Sequence, residues 1–522
     1  MPRLIIDNLN VEVNSGATVL DAAEKLGIKI PTMCFLKGYK VSTSCMVCVV
    51  KVDGLASLVP ACGTIAKEGM KVEASSEEIH QARKVALELL LSDHLGDCMG
   101  PCQVICPAGM NIPLMIRQIR AGQLKDAIVT VKKDIALPAV LGRICPAPCE
   151  NGCRRTYFDQ PVSICVLKRY AADVDLFSAQ PYQPAFEAER DKRIAIVGTG
   201  PAGLSAAYYL LQKGYACTLY DDHNEPGGML RYSECYEKII SVLEKEIALI
   251  EQLGAKFIFQ TKIESKSDLE KLCKDYDAVF LAVGEINTDN GEFFGLETGP
   301  NGIKINKAYQ TNVTGVFAGG DAVRRRKLAI RSLSDGKEAA IAIEQFVMGQ
   351  QVSGQEKEFN IRIGKLQEGE INNFMLQVSD SGRIEALGQG NGFTNEQAIQ
   401  ESARCLHCDC RKADNCKLRQ LSQDYQAKPS RYKGKRHLFC QQLQHPNIVY
   451  ETGKCIKCGL CIQIAAEAKE ELGLTFIGRG FDVTVAVPFD KSIEKGLKRI
   501  AKKCALACPT AALAFKDYFK GH

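Results

Sequence analysis

The chain has 522 residues, of which 46% are hydrophobic and 24% charged, and 66 basic and 61 acidic side chains give a formal net charge of +5. This length suggests about three to four domains of roughly 150 residues. The near balance of charge argues against a nucleic-acid-binding protein, which usually carries a strong basic excess on one face. Because no apolar stretch is long enough for a membrane span or a signal core, we expect a cytoplasmic protein without a membrane span. The 24 cysteines are then the unusual feature, since disulfides are rare in the cytosol and dense cysteine spacing favours metal or redox sites.

Five consecutive segments differ in their patterns. Short β-like runs such as LIIDNLNVEV and VCVVKVDG, with a short helix at ATVLDAAEKLG, predict a small domain over residues 1–75. Helical patterns at EEIHQARKVALELLL, IPLMIRQIRAGQLKDAIVTVKK and SICVLKRYAADVDLF predict a helical domain over residues 76–185. An α/β pattern that starts at RIAIVG predicts a nucleotide-binding domain over residues 186–352. A polar, Gly-rich linker with a Cys-rich segment is expected over residues 353–430, and a small Cys-rich domain over residues 431–522.

The first cysteine group consists of Cys34, Cys45, Cys48 and Cys62. Two thiolates two residues apart can bind one metal centre from a single loop, and a zinc site is the alternative. The stretch GIKIPTMCFLKGYKVSTSCMVCVVKVDG resembles the N-terminal [2Fe–2S] domain of the large iron–sulfur subunit of complex I and of its hydrogenase and formate dehydrogenase relatives. The following VALELLLSDHLGDC extends the resemblance. It implies a β-grasp ferredoxin domain whose four cysteines hold one [2Fe–2S] cluster.

The next cysteines lie in a segment with a different resemblance. GPCQVICPAGMNIPLMIRQI and GRICPAPCENGCRRTYFDQPVSICVLKRYAAD resemble the helical N-terminal domain of the glutamate synthase small subunit and of dihydropyrimidine dehydrogenase. That domain holds two [4Fe–4S] clusters with interleaved ligands. The resemblance assigns Cys98, Cys102 and Cys153 to one cluster, and Cys106, Cys145 and Cys149 to the other.

Each of these two clusters still needs a fourth ligand. His94 stands where the resembled domain has a further cysteine, and a histidine ligand occurs in a cluster of complex I relatives. Lys168 stands where the family has Gln or Glu, but a protonated lysine is a poor ligand. Cys165 lies one helical turn earlier on the same face. We therefore assign His94 and Cys165 as the missing ligands, the alternatives being a surface histidine and a buried core cysteine.

A fourth group lies in the polar stretch CLHCDCRKADNCKLR. Four thiolates within twelve residues of such a segment favour a [4Fe–4S] cluster, with zinc as the alternative. The predicted ligands are Cys405, Cys408, Cys410 and Cys416. We expect His407, between two of them, to face solvent.

The fifth group, CIKCGLC with CALACPTAALAFK, resembles a bacterial ferredoxin module, in which a distant Cys-Pro completes a run of three cysteines. The predicted ligands of its [4Fe–4S] cluster are Cys455, Cys458, Cys461 and Cys508. A two-cluster ferredoxin would have a cysteine at Ala465, so Cys504 is either a remnant of a lost second cluster or an alternative ligand. The cysteines without partners at ligand spacing are expected to be ordinary thiols: Cys217, Cys235, Cys273 and Cys440.

The stretch RIAIVGTGPAGLSAAYYLLQKGYACTLYDD has the pattern of a dinucleotide-binding βαβ unit. Gly198 allows the tight turn, Gly200 allows the backbone to approach a pyrophosphate, and Gly203 permits close packing of helix on strand. Pro201 and Ala202 begin the helix, whose free N–H groups suit phosphates. Asp221 ends the second strand and is expected to bind the adenosine ribose.

Two further stretches indicate FAD. NEPGGMLRY resembles the flavin-contacting loop of the glutamate synthase small subunit, and TNVTGVFAGGDAV resembles the second FAD motif of that family. The helix that follows, at SDGKEAAIAIEQF, is expected to point its N-terminus at the isoalloxazine. The resemblance places these residues at the flavin: Gly228, Met229, Leu230, Arg231, Gly284, Gly320 and Asp321.

The resembled family has a second, NADPH-binding Rossmann domain inserted between its two FAD segments. Here DAVFLAVG, at residues 277–284, is followed by only about 30 residues before TGVFAGGD, too few for a nucleotide-binding domain. We therefore expect a scaffold without the NADPH domain. Its flavin would receive electrons through clusters or from a partner subunit.

These motifs add up to one FAD, one [2Fe–2S] cluster and four [4Fe–4S] clusters, with no residue constellation for substrate catalysis. The leading hypothesis is an electron-transfer subunit of a multi-subunit anaerobic oxidoreductase, with electron bifurcation as an activity to be tested. Its expected partners are an NADH-oxidising flavoprotein subunit of complex I type, ferredoxin, and a terminal subunit of formate dehydrogenase, hydrogenase or tungsten aldehyde oxidoreductase type. The alternatives are a self-sufficient NAD(P)H-dependent oxidoreductase of glutamate synthase type, and a zinc-containing scaffold.

Overall fold

The structure is a computed structural model that describes residues 1–232, 236–286, 292–325, 328–376, 378–386, 392–432, 434 and 436–516. The chain forms two compact units, each built from stretches that are far apart in sequence. The first unit comprises Met1–Gly100, Glu358–Gln377 and His407–His522, and the second comprises Pro101–Lys357 and Val378–Leu406. Cys235 lies outside the described residues. No helix in the described ranges is both long and apolar enough to cross a membrane.

The first unit begins with a mixed β-sheet and two helices. The elements are β1 (Arg3–Ile6), β2 (Leu9–Glu12), α1 (Val19–Lys25), β3 (Val49–Val52), β4 (Val59–Pro60), β5 (Lys71–Glu73) and α2 (Glu77–Ser92). The strand order is β2–β1–β5–β3–β4, with β1 antiparallel to β2 and parallel to β5. Asp7 and Asn8 turn the first hairpin with φ of 46° and 67°, which is the backbone conformation of tight hairpin turns. Thr18 and Asp21 form a capping box that begins α1.

The second unit begins with six short helices. They are α3 (Pro101–Ile105), α4 (Ile112–Arg120), α5 (Leu124–Lys132), α6 (Pro138–Ile144), α7 (Pro148–Asn151) and α8 (Ile164–Leu176). The sequence predicted one continuous helix where α4 and α5 lie. The chain instead turns at Gly122, whose φ of 72° is left-handed and ends α4. The buried faces of α4, α5, α6 and α8 belong to one large apolar core of this unit.

A parallel sheet flanked by helices forms most of the rest of the second unit. Its elements are β6 (Arg193–Val197), α9 (Pro201–Gln212), β7 (Ala216–Tyr220), α10 (Tyr236–Gln252), β8 (Lys256–Ile258), α11 (Lys266–Asp275), β9 (Ala278–Leu281), β10 (Glu292–Phe293), β11 (Leu296–Gly299), β12 (Gly302–Ile303), β13 (Val316–Ala318) and α12 (Ala329–Val347). The strands β13–β9–β6–β7–β8 are all parallel in that order. This confirms the expected Rossmann-like sheet.

Residues 282–315, between β9 and β13, contain a small antiparallel sheet, β10–β11–β12. The helix expected at SDGKEAAIAIEQF begins earlier than predicted, at Ala329, so that Asp335 and Gly336 lie in its second turn. An added Cβ on Gly336 would stand 2.2 Å from the carbonyl oxygen of Ala202. Gly336 therefore allows α12 to pack closely on α9, and it does not mark a helix end.

The remaining elements follow the polar segment after α12. They are α13 (Glu370–Met375), α14 (Asn395–Ser402), α15 (Lys417–Asp424), β14 (Gln441–Gln442), β15 (Ile448–Glu451), α16 (Leu460–Glu467), β16 (Thr475–Ile477), β17 (Thr484–Ala486), α17 (Ile493–Gly496), α18 (Ala501–Ala507) and β18 (Leu513–Phe515). The segment expected to be a linker thus includes short helices. In the C-terminal part, β14–β15–β18 form one antiparallel sheet and β16–β17 a hairpin.

A buried ion-pair network fixes residues 378–386 and 392–406 onto the helical part of the second unit. Arg404, whose side chain has no exposed surface, pairs with Glu401 at 2.8 Å and with Asp159 at 3.0 Å. Glu401 also accepts hydrogen bonds from the backbone N–H of Ser163 and of Ile384, both at 2.8 Å. Removing one partner would leave an uncompensated buried charge.

We expect Arg404→Met to lower the local opening free energy of α14 by about 3–5 kcal/mol, because Glu401 loses its buried counter-charge. Amide hydrogen exchange of α14 measures this change. The matched control is Lys498→Met, which breaks an exposed pair with Glu471 and should leave the exchange unchanged. Equal protection of α14 in both variants would contradict the prediction.

Candidate metal centres and nucleotide-binding site

The four cysteines of the N-terminal domain lie together in the first unit. Three come from the loop between α1 and β3, and Cys62 follows β4, where the N–H of Ala61 donates to the carbonyl of Cys48 at 3.0 Å. The Sγ atoms of Cys48 and Cys62 are 3.3 Å apart. A hydrogen bond from Cys45 lowers the pKa of Cys34. All four are buried, so the fold gathers the predicted [2Fe–2S] ligands in a dry site where thiolates can bind iron.

A cavity in the second unit is lined by four cysteines from four different elements. Cys106 follows α3, Cys145 follows α6, Cys149 lies in α7 and Cys165 in the first turn of α8. The thiol of Cys165 donates a hydrogen bond to Cys145, which lowers the pKa of Cys145. Cys165 thus lies where the sequence predicted the fourth ligand, although it comes from a helix that carries no cysteine motif. The four thiols suit one cluster.

Lys168 lines the same cavity and donates from Nζ to the carbonyl of Leu141 at 3.3 Å. Burial opposes the charged form of Lys168, but the surrounding thiols, led by Cys165, raise its pKa. The lysine therefore stays protonated beside the four sulfurs. It would act as a counter-charge to a thiolate-ligated cluster rather than as a ligand, and net charge is one determinant of cluster potential.

Cys102 and Cys153 of the helical segment lie in the second unit together with Cys405. Gly152, the residue before Cys153, packs against α3, the helix that carries Cys102: an added Cβ on Gly152 would stand 2.4 Å from Cδ1 of Ile105. Cys153 interacts electrostatically with Arg404, the residue before Cys405. Cys98, which the resemblance grouped with Cys102 and Cys153, belongs to the first unit.

The first unit also contains Cys408, Cys410 and Cys416. The backbone N–H of Cys410 donates to the carbonyl of Cys98 at 3.3 Å. Cys98 and Cys416 belong to the same buried apolar cluster. The structure therefore brings Cys98 close to Cys410 and Cys416 of the CLHCDCRKADNCKLR stretch, which no motif in the sequence indicated.

The C-terminal ferredoxin-like cysteines line a second cavity, in the first unit. Its wall includes Cys455, Cys458, Cys461 and Cys508 together with Tyr450 and Val485. Burial raises the pKa of Cys455 to about 11 and that of Cys458 to about 12. These four residues are the predicted ligands.

Cys504 has a different environment. Its Sγ lies 3.7 Å from the carbonyl oxygen of Cys461, and its side chain is fully buried in the apolar core of the C-terminal part, as is Ala465. The residues that line the cavity include Cys508 and not Cys504. The geometry favours a packing role for Cys504 over the alternative ligand considered from the sequence.

The nucleotide-binding turn follows β6. An added Cβ on Gly203 would stand 1.9 Å from the carbonyl oxygen of Gly198, and one on Gly198 would stand 2.3 Å from that of Ala282. Close backbone packing therefore requires a glycine at both positions. The sequence predicted this for Gly203, whereas it assigned Gly198 to the tight turn. An added Cβ on Gly200 would meet no protein atom within 4 Å, so the backbone there is open to a ligand.

Three motifs that are distant in sequence meet at this turn. An added Cβ on Gly228 would stand 2.8 Å from Cα of Gly200, and one on Gly320 would stand 3.0 Å from Cβ of Ala202. The N–H of Gly227 donates to the carbonyl of Thr199 at 3.0 Å. The two stretches that resemble flavin motifs therefore lie against the Gly-rich turn. An open cradle of this kind at a helix N-terminus fits a dinucleotide pyrophosphate.

Asp221 directly follows β7, whereas the sequence predicted it as the last residue of that strand, and its carboxylate is hydrogen-bonded to the turn. It accepts hydrogen bonds from the N–H of Thr199 at 2.7 Å and from its hydroxyl at 2.5 Å, and from the N–H of His223 at 3.0 Å. Burial opposes ionisation, but these hydrogen bonds lower the pKa of Asp221. The carboxylate therefore remains charged beside the turn.

The other predicted flavin residues surround the same turn. Leu230 is buried and Met229 is exposed, while Arg231 donates from Nε to the carbonyl of Pro226 at 2.6 Å. Gly284 follows β9 with a φ of 77°. Asp321 lies in the short turn after β13.

We expect Cys508→Ala to lower the iron content by about four atoms per chain, because it removes one of four thiols that line the C-terminal cavity. Cys504→Ala is the matched control and should keep its iron. Iron analysis and electron paramagnetic resonance (EPR) spectra of the anaerobically reduced protein measure the outcome. Loss of iron in the Cys504 variant alone would reverse the ligand assignment.

We expect Gly200→Ala to fold normally but to lose bound flavin by roughly tenfold or more, because the new methyl group would occupy the space that a pyrophosphate approaches. Gly382→Ala is the control, since its added Cβ also meets no protein atom within 4 Å but lies outside the turn. Flavin released by denaturation is measured by fluorescence, and iron content reports the fold. Equal flavin content in both variants would place the dinucleotide elsewhere.

Family models match three regions of the chain. Residues 3–77 match a 2Fe-2S iron-sulfur cluster binding domain, and residues 92–179 match domain II of dihydropyrimidine dehydrogenase with its 4Fe-4S cluster. Residues 196–245 match an NAD(P)-binding Rossmann-like domain, and residues 237–336 match the pyridine nucleotide-disulphide oxidoreductases.

Curated relatives match about a third of the chain. The NADPH-Fe(3+) oxidoreductase subunit beta of Geobacter sulfurreducens is 40% identical over 189 residues, which are 35% of this chain and 28% of that protein. The NADP(+)-dependent formate dehydrogenase subunit beta of Moorella thermoacetica is 36% identical over 35% of this chain and 29% of its own. The NAD-dependent dihydropyrimidine dehydrogenase subunit PreT of Salmonella typhimurium is 36% identical over 35% of this chain and 45% of its own. The chain thus spans less than half of each of these relatives.

Among solved structures, an NAD⁺-reducing [NiFe]-hydrogenase in the H₂-reduced state aligns with 100% of this chain and 90% of its own, at 11% identity and a TM-score of 0.37. Mycobacterium tuberculosis FprA in complex with NADPH aligns with 19% of this chain and 25% of its own, at 26% identity and a TM-score of 0.18. These scores do not establish a shared arrangement. The family matches and the fold together make the chain a multidomain α/β protein with a [2Fe–2S] domain, a helical [4Fe–4S] domain and a Rossmann-like pyridine nucleotide oxidoreductase domain.

Proposed function

We propose that the chain is an electron-transfer subunit of a multi-subunit oxidoreductase, and that it holds one FAD, one [2Fe–2S] cluster and four [4Fe–4S] clusters. The proposal rests on one observation above all: helix α12 is a common wall of a cysteine-lined cavity and of the dinucleotide-binding turn. When bound, clusters carry single electrons and a flavin can exchange one or two. The protein's part is to hold these groups close together.

The contacts of α12 support this proposal. Ile330, in its first turn, lines the cavity of Cys106, Cys145, Cys149 and Cys165. One turn later, the hydroxyl of Ser334 donates to the carbonyl of Pro107, the residue after Cys106, at 2.8 Å. Asp335 accepts a hydrogen bond from the N–H of Gly320 at 3.1 Å. One helix therefore contacts both the cysteine loop and a predicted flavin motif, which keeps the two sites adjacent.

The first unit has a comparable arrangement of thiols. Cys458 of the C-terminal cavity interacts electrostatically with Cys34 of the N-terminal group. Its fellow ligand Cys508 faces Lys412, which interacts with Cys416 as well. The C-terminal cavity is thus linked electrostatically to both of the other sets of cysteines, through Cys458 and through Lys412. Such a series of adjacent sites suits transfer of electrons across the unit.

Lys412 was not identified from the sequence, although it lies between Cys410 and Cys416. Its Nζ donates to the carbonyls of Ala505, Leu506 and Cys508 at 3.0, 3.1 and 2.6 Å. A cation there satisfies the last carbonyls of α18. It also places a positive charge between two groups of thiolates.

The partners follow from the relatives and from the N-terminal domain. The relatives named above are subunits by name, and the N-terminal domain resembles one that receives electrons beside an NADH-oxidising flavoprotein subunit of complex I type. We propose such a subunit as one partner. Ferredoxin or a terminal catalytic subunit of formate dehydrogenase, hydrogenase or tungsten aldehyde oxidoreductase type would be the other. Electron bifurcation is an activity to test in that assembly.

The single parallel sheet of the second unit is proposed to bind FAD and not a pyridine nucleotide. Residues 282–315, where the resembled family inserts its NADPH domain, include the short strands β10–β12. Reducing equivalents from NADH or NADPH would then enter only through a partner.

We expect the anaerobically purified chain to be bleached near 400 nm by dithionite or reduced ferredoxin, and not by NADH or NADPH. Adding the NADH-oxidising partner should make NADH effective. Rapid bleaching of the isolated chain by either nucleotide would contradict the proposal and favour a self-sufficient oxidoreductase. The Gly200→Ala variant is the control for the flavin, since its clusters should still be reduced by dithionite.

A further inference from the structure

The loop between α2 and residue 101 is held by three hydrogen bonds to two distant segments of the first unit. The N–H of Leu95 donates to the carbonyl of Gly453 at 2.7 Å, and the N–H of Cys98 to that of Ile361 at 3.2 Å. The side chain of Asp97 accepts from the N–H of Ile363 at 3.0 Å. The loop that carries His94 and Cys98 is therefore fixed from several sides and is not free to rearrange.

The cysteines that lie beside this loop come from more than 300 residues later in the chain. The N–H of Cys410 donates to the carbonyl of Cys98 at 3.3 Å. Cys416 immediately precedes α15 and interacts electrostatically with both Cys410 and Cys98. All three cysteines are buried. Buried thiols that converge in this way are typical of cluster ligands.

His94 lies on the same loop, four residues before Cys98. Its Nδ1 is buried and makes no hydrogen bond to any described residue. Buried polar atoms almost always have a partner, and an unpaired one calls for an explanation such as an ion. The ammonium group of Lys454 lies near His94, near Cys98 and near Cys410.

We propose that His94, Cys98, Cys410 and Cys416 are the four ligands of one [4Fe–4S] cluster in the first unit. This assignment changes the grouping expected from the sequence. It separates Cys98 from Cys102 and Cys153, and it divides the four cysteines of CLHCDCRKADNC between two clusters. Cys405, in the second unit beside Cys153, becomes a ligand of a different cluster.

Lys454 is the positioning residue of this site. It pairs with Glu451 at 2.6 Å, and Glu451 also binds Arg411, the residue after Cys410, at 3.1 Å. An added Cβ on Gly96 would stand 2.6 Å from Cε of Lys454. The glycine therefore allows the lysine to pass directly beneath the His94 loop, where its charge opposes that of the thiolates.

Iron counts of single and double variants test the grouping. Cys98→Ala and Cys416→Ala should each lose about four iron atoms per chain, and the double variant should also lose about four, because both residues hold the same cluster. The double variant of Cys416 with Cys405 should lose about eight. A loss of about eight iron atoms in the Cys98/Cys416 double variant, with a loss of about four in the Cys405/Cys416 double variant, would overturn the proposal. Cys98 with Cys458 is the reference pair for two separate clusters, expected to lose about eight.

A variant that keeps the iron provides a second test. His94→Cys should retain the cluster, while pulsed EPR of the reduced protein should lose the ¹⁴N coupling of a histidine ligand. In the unsubstituted protein this coupling should be present, and it should persist in Cys405→Ala and vanish in Cys416→Ala. Absence of ¹⁴N coupling in the unsubstituted protein would exclude His94 as a ligand. Both tests report cluster ligation and not electron flow, so their failure is distinguishable from failure of the proposed function.

Discussion

The burial of many thiols close together is the constraint on which the rest of the structure depends. Thiolates are costly in an apolar interior unless a metal or a cation compensates them. Lysines lie beside cysteines at three places: Lys168 in the second unit and Lys454 in the first are buried, and Lys412 in the first is half-buried. These lysines bind backbone carbonyls or a buried glutamate, which holds their charges in place beside the sulfurs.

This arrangement has a consequence for cluster chemistry. The potential of a thiolate-ligated cluster depends on net charge, hydrogen bonds and exposure. A fixed ammonium near the sulfurs favours the more negative, reduced state of such a cluster. Lys168 and Lys454 lie in different units and beside different sets of cysteines, so each cluster has its own local charge. With the proposed ligand sets, residues that are not themselves ligands would therefore influence the cluster potentials.

The second constraint is close backbone packing around the nucleotide-binding turn. Gly198 and Gly203 have no room for a side chain, while Gly200 has room that only a ligand would use. Helix α12 packs on α9 through Gly336 and at the same time lines a cysteine cavity with Ile330. A rigid helix that contacts both sites gives them a fixed separation. That rigidity is what a subunit needs when its task is to position cofactors.

The sequence by itself determined the local features. It predicted the β-grasp domain, the helical domain and the Rossmann-like sheet, because alternation, helical periodicity and the Gly-rich turn depend on near neighbours in the chain. It also indicated Cys165, since one helical turn separates it from Lys168. It predicted α4 and α5 as one helix, because a single glycine at position 122 is a weak stop signal until its φ is known.

Only the tertiary structure decided which cysteines lie together. Cys98 and Cys416 are distant in sequence, and no spacing rule relates them, because their proximity depends on how the two ends of the chain fold into one unit. The same holds for Lys454, which is unremarkable in the sequence and is buried against the His94 loop only through the contact of Gly453 with Leu95. Motif spacing reports ligands that share a loop. Ligand sets assembled from separate segments depend on long-range packing, which a local pattern does not encode.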